Sequence, residues 1–315
     1  MTPWLVGAAL FIVGVALVLW GAERFTDGAI RTATLFALSP FFVGIVVSGF
    51  EPENLVTGGA AALAGLHQVA LGTVIGAAIF MLTAGLGVAL LLVPMKVSIP
   101  KAGAVAMIVS LIPFTIALWI DGVVSRAEGA LLVVVAVGLL GWLYRRSPVF
   151  LRPKTDEEES PGWANSRART VLLLAAGLVA MLAGAALVVE GASRLIESLG
   201  ISETIFGMTV VAIGESLEET ARMVAPARRG HPDLALGNVV GTIVILLALN
   251  LGLIALVRPL TVDPLVLRLH APYLLGCTLF VAIALAFARR LGRIMGGFLL
   301  LLYALYLALN VSPTW

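Results

Sequence analysis

The sequence predicts an all-α membrane protein of ten transmembrane helices, arranged as two inverted five-helix repeats. Three observations predict it. Hydrophobic residues make up 60% of the 315 and charged residues 12%, with a mean hydropathy of +1.08, which leaves too little polar surface to cover a soluble globule of this size. Apolar runs of the ~20 residues needed to cross the hydrocarbon core recur along the chain. The second half also echoes the first at a constant separation of 165 positions.

In chain order the runs fall at 3–22, 38–63, 68–93, 99–120, 126–144, 169–190, 203–226, 233–257, 266–288 and 294–311. No basic segment precedes the first, so no cleaved signal peptide is expected. Pro52 breaks the second between Glu51 and Glu53 and frees backbone carbonyls there. The third and eighth carry A-L-G-T-V-I-G-A-A from Ala70 and A-L-G-N-V-V-G-T-I from Ala235. Each places two glycines four apart, which lets another helix approach closely. Between the fifth and sixth lies the one hydrophilic connection, Arg145 to Arg169, with three prolines and an acidic run from Asp156 to Glu159. It reads as a solvated linker too short for a folded domain. The seventh run is expected to break at Gly214, just ahead of its acids. The organisation is therefore a first repeat at 1–145, a cytoplasmic linker at 146–168 and a second repeat at 169–315.

Sixteen Lys and Arg flank the connections after helices 1, 3, 5, 7 and 9, against four (Arg126, Arg194, Arg258 and Arg268) on the other side. By the positive-inside rule both termini lie outside a plasma membrane that the chain crosses many times. Gly49 corresponds to Gly214, Glu53 to Glu218, Ala70-Leu71-Gly72 to Ala235-Leu236-Gly237 and Gly76 to Gly241. An odd number of helices per half inserts the second half upside down, which is the architecture of secondary transporters.

The candidate site lies in V-V-A-I-G-E-S-L-E-E-T, from Val210 to Thr220, which puts Glu215, Glu218 and Glu219 in an otherwise apolar span. The echo V-V-S-G-F-E-P-E-N-L, from Val46 to Leu55, adds Glu51 and Glu53. Each ionisable group at the bilayer centre costs about 2.5 kcal/mol or more, so such groups are functional by default. At helical spacing the three acids of the second stretch point broadly one way. Like charges that close cannot all stay ionised in a dry site, so a cation sits among them or some carry protons. Hard cations want six to eight oxygens, and Ser216, Thr209 and freed carbonyls are placed to add theirs. The two stretches are expected to face each other and bind a cation.

Other chemistries find little support. Cys277 is the one cysteine, which excludes a disulfide framework or a thiolate metal site. There is no H-E-x-x-H and no G-x-S-x-G, so no enzyme is expected, nor any resident cofactor. The partners are lipid and transported cations, with no nucleic acid. His67, His231 and His270 fall near predicted membrane edges and are expected to be interfacial.

These residues carry a family resemblance. V-E-G-A-S-R-L-I-E-S-L-G-I-S-E-T-I-F-G-M-T-V-V-A-I-G-E-S-L-E-E, ending at Glu219, resembles the run of the cation/Ca2+ exchanger superfamily into its G-T-S-L-P-E. D-L-A-L-G-N-V-V-G-T, from Asp233, resembles that superfamily's G-N-x-x-G-S-N segment. The resemblance implies that Glu219 is a metal-binding glutamate and that Ser216 and Thr209 are oxygen ligands. In the first repeat it puts Asn54 at the matching position with Glu53 beside it, or Glu53 itself after a one-residue shift. Departures are informative. Where the family has threonine and proline this chain has Glu215 and Glu218, and its serine and threonine become Glu51 and Phe50. The polar site residues of helices 3 and 8 become Ala77, Met81, Thr242 and Leu246, with Asn250 one turn beyond as either a replacement amide oxygen or a packing group. The resemblance implies a secondary-active antiporter exchanging a divalent cation for H+ or Na+ by alternating access, with helices 1 and 6 sliding past helices 2, 3, 7 and 8. Ca2+ is favoured, Mg2+ and Mn2+ stay open, and H+ is favoured over Na+ because Na+ sites built on helices 3 and 8 would be lost. The alternative is a divergent relative that moves only monovalent cations or another solute.

Overall fold

The computed structural model describes residues 3–35, 51–97, 99, 101–146, 167–228, 230 and 232–310. Its helices are α1 (Pro3–Leu35), α2 (Pro52–Ala64), α3 (His67–Leu92), α4 (Lys101–Trp119), α5 (Arg126–Arg146), α6 (Arg167–Leu199), α7 (203–228), α8 (232–257), α9 (Val266–Phe287) and α10 (Arg293–Asn310). Among the described residues eight are long and apolar enough to cross a membrane. The remaining two are α2, described over 13 residues, and α7, apolar over Glu203–Gly214 and acidic beyond. The expected residues 38–50 and the linker segment 147–166 lie outside the described residues.

Burial follows a membrane pattern. The centre is apolar and built around α3 and α8, while α5 and α10 lie at the rim. Large apolar side chains face outward on the rim, among them Val134, Val137, Leu172, Val179, Ile294 and Leu301. Water would penalise such an exterior, whereas hydrocarbon does not.

α1 and α6 are each 33 residues, about 50 Å at 1.5 Å per residue. Both outrun the expected 3–22 and 169–190. Charges such as Glu190 and Arg194 do not end the helix; they pair one turn apart on its surface, with Nε to Oε1 at 2.6 Å. The two helices pack antiparallel on glycines at heptad spacing. Gly7 lies against Gly191, Gly14 against Gly184 and Gly21 against Gly177, where an added Cβ would meet backbone atoms at 2.7–3.3 Å. Neither heptad was read from the sequence.

Four two-residue strands pair across the halves. β1 (Met95–Lys96) joins β4 (Arg290–Leu291), and β2 (Val123–Val124) joins β3 (Leu260–Thr261), both antiparallel. Val97 N–H to the Arg289 carbonyl (3.1 Å) and Val262 N–H to the Gly122 carbonyl (2.8 Å) extend the two ladders alike. Because β1 precedes α4 and β2 follows it, the ladders sit at opposite ends of that helix. Glycine crossings recur in the same manner: Gly87 of α3 lies against Gly296 of α10, and Gly252 of α8 against Gly129 of α5.

The expected break at Gly214 is absent. Helix α7 runs unbroken from 203 to 228, and its irregularity is a π-helical stretch at Phe206–Val211. Glycine costs only about 1 kcal/mol inside a helix, and Gly214 faces Val15 and Phe11 of α1 at ordinary contact distance. His270, in the first turns of α9, is fully buried within the protein.

Candidate functional site

The first acidic stretch is organised by Pro52. Its ring fixes φ and removes an N–H, so it suits the first helical position and cannot continue a preceding helix. The helix α2 accordingly starts at Pro52, with Glu51 as N-cap at φ 39° and ψ 65°. Glu51 is the one non-glycine residue with positive φ among the described residues. Such backbone costs of order 1–3 kcal/mol and gathers at functional sites. Glu51, Glu53, Asn54 and Thr57 are all buried there.

Asn54 Nδ2 donates to Glu51 Oε2 at 2.7 Å. That bond turns the amide so that Asn54 Oδ1 faces away from the carboxylate, buried and with no hydrogen bond among the described residues. Thr57 Oγ1 is in the same condition. From the other half, Asn250 of α8 donates through Nδ2 to the Glu51 carbonyl at 3.5 Å, and its own Oδ1 is buried without a partner among the described residues. This contact joins the acidic start of α2 to the second half.

The second stretch lies on α7. Ser216 and Glu219 are buried, and Thr209 is nearly so on the π-helical stretch. Asn238 Nδ2 donates to Glu219 Oε2 at 2.9 Å, which fixes that carboxylate from α8. Thr209 gives its one hydroxyl proton to the Ile205 carbonyl at 2.6 Å, so its lone pairs serve only as acceptors. Glu215 and Glu218 lie in the helix backbone, but their side chains are outside the described residues. Among the described residues no three His, Cys, Asp or Glu side chains gather as for a metal ion.

Helices α3 and α7 meet at nearly bare backbone. A Cβ on Gly72 would lie 2.3 Å from the Gly207 carbonyl, and one on Gly76 would lie 2.7 Å from the Met208 carbonyl. Glycine at both positions on α3 is what allows this approach. Ala77, Met81 and Leu246 are buried apolar groups, while Thr242 contributes a buried hydroxyl with no partner among the described residues.

Sequence reasoning missed Thr57 and Asn238. Asn238 stands inside the G-N-V-V-G run, whose glycines and family likeness carried the reading; an amide flanked by helix-contact glycines is the signal that could have found it.

A helical chain with an apolar exterior and with carboxylate, amide and hydroxyl oxygens buried inside it is a multi-pass membrane protein. The sodium/calcium exchanger protein family matches residues 6–145 and 169–312, and the chain belongs to that family, one of cation antiporters. The inner membrane protein YrbG of Escherichia coli (strain K12) is 30% identical over 318 residues, covering 96% of this chain and 97% of its own. The sodium/calcium exchanger MaX1 of Methanosarcina acetivorans is 34% identical over 140 residues, 44% of this chain and 40% of that protein. Among solved structures, the sodium-calcium exchanger NCX_Mj superposes with a TM-score of 0.63 at 26% identity, covering 97% of this chain and 98% of that one.

Proposed function

We propose that the protein is a secondary-active antiporter that exchanges a divalent cation, Ca2+ in the first place, for H+ or Na+. The observation that carries this reading is the junction of the buried Glu51–Asn54 segment with Asn250 of the other half. Carboxylates mixed with amide, hydroxyl and carbonyl oxygens suit a hard cation. Glu51, Glu53, Asn54, Thr209, Glu215, Ser216, Glu218 and Glu219 are the residues assigned to the cation, with Thr57 and Asn250 added. The transported cations and the lipid are the partners; no resident cofactor, catalytic chemistry or nucleic acid is involved. H+ is preferred to Na+ as counter-ion because Ala77, Met81 and Leu246 bring no oxygen to the faces of α3 and α8.

The architecture proposed is ten crossings in two inverted repeats, 1–145 and 169–315, joined by a linker at 146–168, with both termini outside a plasma membrane. The exchanged strand pairs, the exchanged glycine crossings and the two-part family match support it. Transport proceeds by alternating access, with α1 and α6 moving together past α2, α3, α7 and α8. A second reading, transport of monovalent cations alone, draws on the same apolar replacements.

The test is uptake into proteoliposomes across a panel of ions at two pH values, for wild type, Glu53→Gln and Glu219→Gln. Divalent uptake lost in both variants is the expected result. Unchanged divalent uptake in both shows that the acids do not handle the cation, and Na+/H+ exchange without divalent flux favours the second reading.

A further inference from the structure

The carboxylates, amides and hydroxyls assigned to the cation lie on α2, α7 and α8, but one buried polar chain reaches α7 from the rim. Tyr306 of α10 and His270 of α9 are both fully buried. His270 Nδ1 lies 2.9 Å from the Tyr306 hydroxyl, and that hydroxyl donates to the Met208 carbonyl of α7 at 3.3 Å. A phenol has one proton. With it directed at Met208, the ring proton of His270 must sit on Nδ1 and point at the phenol oxygen. The chain therefore has a direction, from His270 through Tyr306 to Met208.

Met208 precedes Thr209 on the π-helical stretch, where the helix turn is wider than in α-helix. Its carbonyl also faces Gly76 of α3, which offers no donor side chain. Packing accounts for the Tyr306 ring, which lies 5.1 Å from that of Tyr273 and 6.1 Å from that of Tyr303. It does not account for a hydroxyl taken out of water to meet a backbone carbonyl on another helix, since burial of such a group is favourable only with its hydrogen bond made.

We infer that Tyr306, oriented by His270, is a positioning residue for transport: its hydroxyl holds the Met208 carbonyl, and with it the turn that presents Thr209 to the cation. The inference rests on the reading of Thr209 as a ligand given above. It ties α9 and α10 to the geometry of the binding site without either helix touching the cation.

Tyr306→Phe keeps the ring contacts and removes the hydroxyl. In proteoliposomes the half-saturating divalent concentration should rise about three- to tenfold, the range for one hydrogen bond between membrane helices, with maximal rate within about twofold of wild type. His270→Leu should do the same, while His270→Asn, which keeps an N–H donor near the place of Nδ1, should restore nearly wild-type half-saturation. Amide hydrogen exchange over residues 206–213 in the cation-free protein should quicken about fivefold in Tyr306→Phe. Unchanged half-saturation, or a fall in rate that only tracks the amount of folded protein, overturns the inference. Unchanged exchange overturns it as well. Exchange does not depend on transport, so a wild type that carries no divalent cation would sink the transport reading while the role of Tyr306 is still decided by exchange.

Discussion

Glu51 and Glu219 are both buried carboxylates that accept a hydrogen bond from an asparagine amide, yet one caps the start of a helix and the other sits within one. At the start of α2 the backbone does the organising. Glu51 is held by its own left-handed conformation, its amide partner is three residues along the same chain, and the first-turn N–H groups favour negative charge at that end. On α7 the ladder is already satisfied, and Glu219 takes its orientation from Asn238 on a different helix. The first acid is therefore placed by local geometry and the second by helix packing.

The largest expected effect comes from making the halves alike. Glu219→Asn gives the second half the side chain that Asn54 supplies in the first, and divalent uptake should fall about 100-fold or more, as when one partner of a buried charge pair is removed. Adding Asn54→Glu moves the acid across the repeat. Partial recovery of uptake would mean that the two positions serve one site, and no recovery would separate them.

Next in size is the α1–α6 contact. Gly14→Ala puts a Cβ 2.7 Å from the Val188 nitrogen, and Gly184→Ala puts one 2.7 Å from the Val18 nitrogen. Each should cost about 1–3 kcal/mol through overpacking, read as a lower unfolding temperature in detergent. The two losses should be equal; unequal losses break the correspondence between the halves at this contact.

Asn250→Leu removes an amide that the first half lacks, since the position 165 residues earlier is Gly85. Half-saturation should rise about threefold, in line with the loss of one hydrogen bond between membrane helices, and the unfolding temperature should change little because the Glu51 carbonyl keeps the Leu55 N–H at 3.3 Å. The smallest effect contrasts two neighbours in α2. Gly59→Ala enters open space and should stabilise by about 0.5–1 kcal/mol, whereas Gly58→Ala would place Cβ 2.6 Å from Thr73 Oγ1 and Ile254 Cδ1 and should destabilise. Thermal unfolding of the pair checks both signs.

Much of this was legible in the chain itself. The apolar runs at 68–93, 233–257 and 294–311 match α3, α8 and α10 to within one or two residues, because lipid sets their length and glycine, proline and charge mark their ends. Pro52 announced the start of α2 for the same local reason. Relations between distant segments were not legible. Nothing in Gly7, Gly14 and Gly21 names Gly191, Gly184 and Gly177 as partners until the two helices are set side by side, and Asn250 reads as packing until Glu51 is seen beneath it. Gly214 shows the limit from the other direction, since a residue able to end a helix does so only where its surroundings leave it free.

The exchanged strand ladders carry one further consequence. Each sews a connection of one half to a connection of the other at opposite ends of α4, and the glycine contacts of α1 with α6 span the halves as well. The polypeptide bond between the halves is thus not what keeps them together. Two separately translated fragments, cut between residues 146 and 167, should reassemble when co-expressed, and such a split protein offers a direct route to labelling one half at a time.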